Sequence, residues 1–384
     1  MARTGERKTC KMKTTKEAGT WRWWLVVATM AVCWGALRFS CCEEGLNGIA
    51  SLKTLYDFNA PVPFGKRILT VWMAHGLTWM GVPMARAFEW IEMLGAAVLA
   101  EGLRQTFRPY LGESRGRVAG VLVFGILGVT YLLRSPLTIF VPWDTWAMAL
   151  TAWGIHYLLE GCWPGVAVTM VLASFNRESA VLIPMLCAVI YAGRRPVWRF
   201  AAMTGCLLCA YAVCQWLVGL RLDDNGVVFK RLLFGTSWVG EEWVGEPYRL
   251  TRNWLWLRGA WERWFIVLGA MGGLPLRFAG VAGRLPGHLR RFGLVALGYL
   301  AMLAVVGNAD EMRIYGETIV ILFVPTVLGI CDLMGEERVL SVCHLDGERG
   351  EWEKWMGWVE GASAALIVAG LFGLEWCLSQ GWGP

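Results

Sequence analysis

The sequence has little charge for its length and very little histidine. Of its 384 residues, 17% are charged, 56% are hydrophobic and four are histidine. This balance excludes a soluble enzyme with a simple membrane anchor. His75 and His156 are isolated and lack metal-ligand spacing, and no basic patch carries interleaved aromatic residues outside a membrane flank. We therefore predict no metal, no cofactor and no nucleic-acid partner.

The chain also lacks internal repeats, low-complexity tracts and any soluble domain of useful size. Its twelve cysteines lie mostly in apolar stretches, where cysteine behaves as a small hydrophobe, so they do not form a disulfide or metal framework. Apolar stretches near bilayer length recur along the whole chain, and tryptophan, which favours membrane interfaces, is abundant. The sequence therefore predicts an all-α fold, a polytopic bundle of transmembrane helices.

We predict about eleven spans in a single transmembrane domain, residues 22–378, flanked by a basic cytoplasmic tail, 1–21, and a C-terminal tail, 379–384. The spans lie near residues 22–40, 87–104, 118–133, 144–160, 164–177, 179–193, 198–219, 260–276, 291–307, 314–333 and 357–378. The short loops 104–117, 194–199 and 277–291 are basic, which makes them and the N-terminus cytoplasmic. The expected location is a bacterial cytoplasmic (inner) membrane.

Two large loops then face outward. The first, residues 41–86, contains the apolar stretch Ile68–Val82, which is short for a span and ends in Gly81-Val82-Pro83. We interpret this stretch as an interfacial or re-entrant helix, because counting it as a span would place the basic loop 104–117 outside. The second external loop, residues 220–258, carries charges of both signs.

Arg177 and Glu178 are the only charged residues in an apolar run from Cys162 to Ala192. Charges inside membrane segments are costly and are usually functional. The predicted topology moves this pair to a turn between two spans near the outer face, which it shares with other polar residues. The candidate site residues on that face are Asp57, Lys66, Arg67, Asp144, Asn176, Arg177, Glu178, Arg313 and Glu317. A carboxylate in an external loop can act as a general base, and arginine or lysine at that depth can hold a lipid phosphate.

Three motifs carry a resemblance to a known family. They are Asp57 followed by Pro63-Phe64-Gly65-Lys66-Arg67-Ile68-Leu69, then Pro142-Trp143-Asp144 with Asn176-Arg177-Glu178-Ser179, and finally Glu311-Met312-Arg313-Ile314-Tyr315-Gly316-Glu317. In order and sidedness, over residues 50–330, the chain resembles the GT-C-type integral membrane glycosyltransferases, in an uncharacterised, mannosyltransferase-like branch. It departs from them in having a lone Asp57 in the first loop and no soluble C-terminal domain.

The resemblance implies an inverting transfer of a sugar from a polyprenyl-phosphate-linked donor to an acceptor hydroxyl of a glycan, lipid or protein on the outer face. It implies that Asp57 is the base and that Lys66, Arg67, Arg177 and Arg313 hold the phosphate. The other acidic residues, Asp144, Glu178 and Glu317, would orient those basic side chains or bind sugar hydroxyls.

Alternatives stay open at this point. The structural roles that compete with the site are a cap for Asp57 or Asp144, interfacial anchoring for Lys66 and Arg67, and ion pairing within Arg177–Glu178 or Arg313–Glu317. The functional alternatives are a transporter or flippase, since polar residues at helix breaks also build transport sites, and a non-catalytic subunit of a membrane complex.

Overall fold

The protein is an α-helical bundle with one small β-hairpin, so the prediction of a helical bundle is confirmed. The computed structural model describes residues 20–40, 51–60, 64–132, 141–193, 196–221, 236–239, 242–245, 249–306 and 312–334. The predicted span 357–378 and both predicted tails lie outside the described residues, apart from residues 20 and 21.

Fourteen helices lie within the described residues. Their bounds are α1 Thr20–Ser40, α2 Leu52–Tyr56, α3 Ile68–Trp79, α4 Met84–Leu132, α5 Trp143–Glu160, α6 Trp163–Asn176, α7 Leu182–Tyr191, α8 Val197–Arg221, α9 Arg249–Gly259, α10 Glu262–Ala270, α11 Leu274–Val281, α12 Gly287–Arg290, α13 Phe292–Val306 and α14 Gly316–Leu333. Short 3₁₀ turns cover Phe64–Lys66, Glu178–Val181, Ala282–Arg284 and Met312–Tyr315. The antiparallel hairpin pairs β1, Thr236–Val239, with β2, Glu242–Gly245.

Helix α4 reverses direction at Gly112. This glycine has φ 76° and ψ 174°, a left-handed value of φ that glycine adopts without a steric penalty. A β-carbon on Gly120 would lie 2.6 Å from the carbonyl oxygen of Ala100, and one on Gly116 would lie 3.2 Å from that of Arg104. The two halves are therefore antiparallel and closely packed. The predicted loop 104–117 is wrong in its extent, because both halves stay helical up to this one glycine.

Helices α5 to α8 run alternately up and down. The side-chain amide of Asn176 at the end of α6 donates to the carbonyl of Trp143 at the start of α5, at 2.9 Å. Tyr191, at the end of α7, donates its hydroxyl to the carbonyl of Leu158, at 2.6 Å. The chain therefore turns back at Arg177, between α6 and α7. Helix α8 then returns along α7, since Tyr211 donates to the carbonyl of Glu178 at 3.1 Å.

Two described helices are long and apolar enough to cross a membrane. They cover Val197–Gly219 and Arg313–Leu333, and a third candidate is the pair Glu262–Ala270 and Leu274–Arg284, which bend by 74° at their break. That break divides the predicted continuous span 260–276. Helices α6 and α7 have 14 and 10 residues, or about 21 and 15 Å at 1.5 Å per residue, against about 30 Å for a bilayer core. The count of eleven spans stays a prediction.

The core lies between α4, α5, α7 and α14. About 83% of the apolar stretch of α14 is buried inside the bundle, against 17% of that of α8. The fully buried side chains of the centre include Phe88, Phe107 and Phe323. Helix α14 therefore occupies the middle of the bundle. Its first turn carries the buried Glu317, so a buried charge lies at this end of the bundle.

Candidate functional site

Asp144 is the centre of a buried group of charged residues. It lies in the first turn of α5 with 2% of its side chain exposed. Its Oδ1 is 3.3 Å from Nη1 of Arg177, and its Oδ2 is 3.4 Å from Nη1 of Arg313 and 4.0 Å from Nη2 of Arg38. No side chain caps the start of α5 at Pro142. Asp144 is therefore a shared partner of three arginines and not an N-terminal cap.

Arg177 joins two carboxylates across the helix break. Its backbone is extended, with φ −165° and ψ 155°, and its amide closes α6 by donating to the carbonyl of Ala173 at 2.9 Å. The Nη1 atom lies 3.3 Å from Asp144 and 3.2 Å from Oε1 of Glu317. Glu317 also accepts a hydrogen bond from the hydroxyl of Ser179 at 2.7 Å. The break is thus held by ionic contacts to α5 and α14.

Glu178 pairs with Arg67 and not with its sequence neighbour. The Oε2 atom of Glu178 lies 3.3 Å from Nη2 of Arg67, whose guanidinium also sits 4.8 Å from the ring centroid of Trp143. Burial lowers the pKa of Arg67, while the carboxylate of Glu178 opposes that shift. An arginine stays charged at any ordinary pH even so. The alternative of an ion pair within Arg177–Glu178 is therefore not among the contacts of either residue.

Arg38 and Glu92 complete this group, and the sequence reasoning missed both. Nε of Arg38 at the end of α1 lies 3.1 Å from Oε1 of Glu92 on α4, and 0% of the Glu92 side chain is exposed. Trp34 donates its indole N–H to the same oxygen at 3.0 Å. Glu92 stands within the predicted span 87–104, so the rule that singled out Arg177 and Glu178 would also have found it.

We call these eight side chains the charge network: Arg38, Arg67, Arg177, Arg313, Glu92, Asp144, Glu178 and Glu317. With every group ionised, four positive and four negative charges cancel. Exposure increases outward, from 0% for the Glu92 side chain and 2% for that of Asp144 to 13% for Arg313 and 37% for Glu178. Buried charges are tolerated only when they are paired, which the network achieves. Glu178 is the one member that water reaches freely.

Asp57 and Lys66 lie in the loop beside the network. Asp57 ends α2 as its C-cap with an exposed side chain, and Lys66 is half-buried at the end of its 3₁₀ turn. The segment that carries them packs against the network, because Leu55 and Val71 share an apolar cluster with Trp143. No described contact joins Asp57 itself to an arginine. Asp57 closes the end of α2 through its backbone amide, which donates to the carbonyls of Lys53 and Leu55, and no described bond gives its side chain a capping role.

The other predicted residues divide into two groups. Arg67, Asp144, Arg177, Glu178, Arg313 and Glu317 belong to the charge network. Asn176 is buried and ties α6 to α5 through the carbonyl of Trp143. Arg313 and Glu317 lie one helical turn apart, but Arg313 contacts Asp144 and Glu317 contacts Arg177. Six of the nine candidates therefore meet at one end of the bundle, although they come from four distant parts of the chain.

The chemistry available at this end is that of guanidinium and carboxylate groups. Among the described residues, no three histidine, cysteine, aspartate or glutamate side chains are grouped as a metal site. Arginines can bind a phosphate by paired hydrogen bonds, and an exposed carboxylate can accept a proton from a hydroxyl. No family model, curated protein or solved structure matches the chain.

Proposed function

We propose that the protein is an integral membrane glycosyltransferase that moves a sugar from a polyprenyl-phosphate-linked donor to an acceptor hydroxyl. The observation that carries the proposal is the charge network at one end of the bundle, with the exposed Asp57 on the adjoining loop. The resemblance to GT-C-type glycosyltransferases supports the same assignment, because six network residues fall in its motifs.

A membrane setting is supported by the apolar side chains that the bundle leaves uncovered. On α8, Trp216 is 62% and Val213 is 52% exposed, and α1 exposes Trp21 and Leu25. Uncovered apolar faces of this extent mark contact with lipid or protein. In the proposed orientation the N-terminus lies in the cytoplasm of a bacterial-type cell, and the charge network faces the outer leaflet of the cytoplasmic membrane.

The donor phosphate would bind at the rim of the network, at Arg67 and Lys66. The network is balanced in charge, so an added phosphodiester, with one negative charge, requires an extra cation or the displacement of a carboxylate. Glu178 is the carboxylate most easily displaced, because its side chain is the most exposed of the network while that of its partner Arg67 is 9% exposed. Lys66 supplies the extra cation. Asp144 and Glu317 stay in place and hold Arg177 and Arg313.

The reaction then proceeds at the outer edge of the loop. The carboxylate of Asp57 takes the proton of the acceptor hydroxyl as the hydroxyl oxygen forms a bond to the anomeric carbon. The bond from that carbon to the phosphate oxygen breaks, and its electron pair leaves with the polyprenyl phosphate. The configuration at the anomeric carbon inverts. A general base of this kind contributes about 100- to 10,000-fold to the rate.

A transport function is the second candidate, favoured by two helix breaks. One is at Arg177, and the other is at residues 271–273, where α10 and α11 bend by 74°. Thr130 donates its hydroxyl to the carbonyl of Ala270 beside the second break. Broken helices whose ends point at polar groups build the binding sites of many transporters.

One experiment separates the two candidates. The purified protein is reconstituted in liposomes with polyprenyl-phosphate mannose or glucose, labelled in the sugar, and a bacterial membrane lipid extract as acceptor. Transfer of label to the extract by the wild type, with loss in Arg67→Gln, supports the transferase. No transfer from either donor, together with movement of the labelled donor between leaflets, would refute the transferase and support a flippase.

A further inference from the structure

The residues on both sides of Asp57 stack on one imidazole. The ring centroid of Tyr56 lies 3.9 Å from that of His75, with the planes inclined by 24°. The ring of Phe58 lies 5.4 Å from the same imidazole, with an inclination of 2°. His75 is on α3 and Asp57 at the end of α2, so these contacts join the two helices at the position of the candidate base.

Hydrogen bonds fix the same three residues. Nε2 of His75 lies 2.8 Å from the carbonyl oxygen of Tyr56, and a carbonyl only accepts, so Nε2 carries the proton. Thr78 donates its hydroxyl to the carbonyl of His75 at 2.9 Å, and the hydroxyl of Tyr56 is 2.6 Å from Oγ1 of Thr78. Since the Thr78 proton is already committed, Tyr56 is the donor in the last bond.

Phe58 holds a backbone conformation that this stacking helps to maintain. Its φ of 55° is the only positive value at a non-glycine residue among those described. Two bonds close the end of α2 around it, from the amide of Phe58 to the carbonyl of Leu55 at 3.1 Å and from Asn59 to Thr54 at 2.8 Å. Glycine is the usual residue at this position, because a side chain there is sterically unfavourable. Strained residues that persist in this way cluster at functional sites.

We propose that His75 is a positioning residue, which clamps Tyr56 and Phe58 and so gives the Asp57 carboxylate one fixed placement beside the charge network. The inference rests on the proposed transferase function. His75 itself touches neither substrate nor acceptor in this account. Its imidazole gives both rings a flat face to stack on, which carries the clamp, and its Nε2–H also donates to the Tyr56 carbonyl.

The test compares His75→Ala with two matched variants in reconstituted protein. His75→Phe keeps the ring stack and removes only the N–H donor, and Trp79→Ala removes a side chain of the same helix that is 89% exposed. Amide hydrogen exchange of residues 55–59 reports the order of the loop. Transfer from labelled polyprenyl-phosphate mannose gives kcat and KM. We expect His75→Ala to exchange at least tenfold faster, with kcat lowered about 100-fold by misplacement of the base and KM for the donor unchanged.

His75→Phe should keep the slow exchange and recover most of kcat, and Trp79→Ala should match the wild type in both. Unchanged exchange in His75→Ala overturns the clamp, and faster exchange with unchanged kcat overturns the positioning role. Asp57→Asn should lower kcat, while amide hydrogen exchange of residues 55–59 stays slow. Absence of transfer by the wild type itself would refute the transferase and the positioning role together, and hydrogen exchange would still decide whether the clamp exists.

Discussion

Replacing Asp144 by asparagine should destabilise the protein far more than the same change at Glu178. Both substitutions turn a carboxylate of the charge network into an amide of similar shape. The Asp144 side chain is 2% exposed and lies within 4.0 Å of three arginines, whereas that of Glu178 is 37% exposed and contacts Arg67. The two variants therefore differ mainly in how much water can replace the lost charge.

The magnitude follows from that difference in burial. Removing one partner of a buried ion pair leaves an uncompensated charge and costs about 3–5 kcal/mol. The Glu178→Gln change at the rim should cost less, about 1–2 kcal/mol, because the introduced amide oxygen and water at this more exposed position can still accept hydrogen bonds from Arg67. The double variant Asp144→Asn with Arg313→Gln restores a neutral network. It should therefore be destabilised by less than the sum of the two single variants.

The assay is equilibrium unfolding in mixed micelles, followed by tryptophan fluorescence for the wild type, the three single variants and the double variant. A coupling free energy of about 1–3 kcal/mol between Asp144 and Arg313 would support a shared buried network. Equal destabilisation by Asp144→Asn and Glu178→Gln would refute the reasoning. So would strict additivity of the Asp144 and Arg313 changes.

Three further predictions test separate parts of the account. Gly112→Ala should lower the free energy of unfolding by about 1 kcal/mol, because φ is 76° at this position. Gly128→Ala should be neutral or slightly stabilising in the same unfolding assay, because nothing lies within 4 Å of the added β-carbon. Glu178→Gln should tighten binding of polyprenyl-phosphate mannose about tenfold, because the donor phosphate no longer has to displace a carboxylate from Arg67. A tenfold change corresponds to roughly 1.4 kcal/mol of binding free energy. Weaker binding would contradict this displacement. Cys209, exposed on α8, should not react with a charged maleimide in liposomes and should react once the protein is unfolded, because a thiol that faces lipid is neither ionised nor reached by the reagent. Labelling of Cys209 by the charged reagent in liposomes would place that face in water.

Hydropathy located several helices closely because each is one apolar run between polar residues. The predicted spans 198–219, 291–307 and 314–333 correspond to Val197–Arg221, Phe292–Val306 and Gly316–Leu333. The break in the span 260–276 was missed, although a local signal existed. Gly272 and Gly273, both with positive φ, directly precede Leu274-Pro275, and such a combination typically ends one helix and begins another.

The membership of the charge network could be predicted in part, but its pairing could not. Charges in apolar surroundings drew attention to Arg177 and Glu178, and shared sidedness added Arg67, Asp144, Arg313 and Glu317. Arg177 and Glu178 are adjacent in sequence but pair with different parts of the chain. The backbone of Arg177 is extended and its side chain contacts Asp144 and Glu317, whereas Glu178 contacts Arg67. Contacts over such sequence separations follow from helix packing, which periodicity and hydropathy do not encode.

The proposed reaction makes Asp57 the base, and this assignment can be separated from donor binding. The Asp57 side chain is exposed and no described contact joins it to the network. Changing it to asparagine should therefore leave the free energy of unfolding within about 0.5 kcal/mol of the wild type. It should also leave the affinity for the polyprenyl-phosphate donor unchanged, because that affinity depends on Arg67 and Lys66.

The most direct test is the rate of sugar transfer from labelled polyprenyl-phosphate mannose or glucose by wild-type protein and by Asp57→Asn, in the same liposomes and at saturating donor. The account predicts transfer by the wild type and a loss of at least about 100-fold in kcat for the variant, with donor binding retained. Equal rates for the two proteins would contradict it.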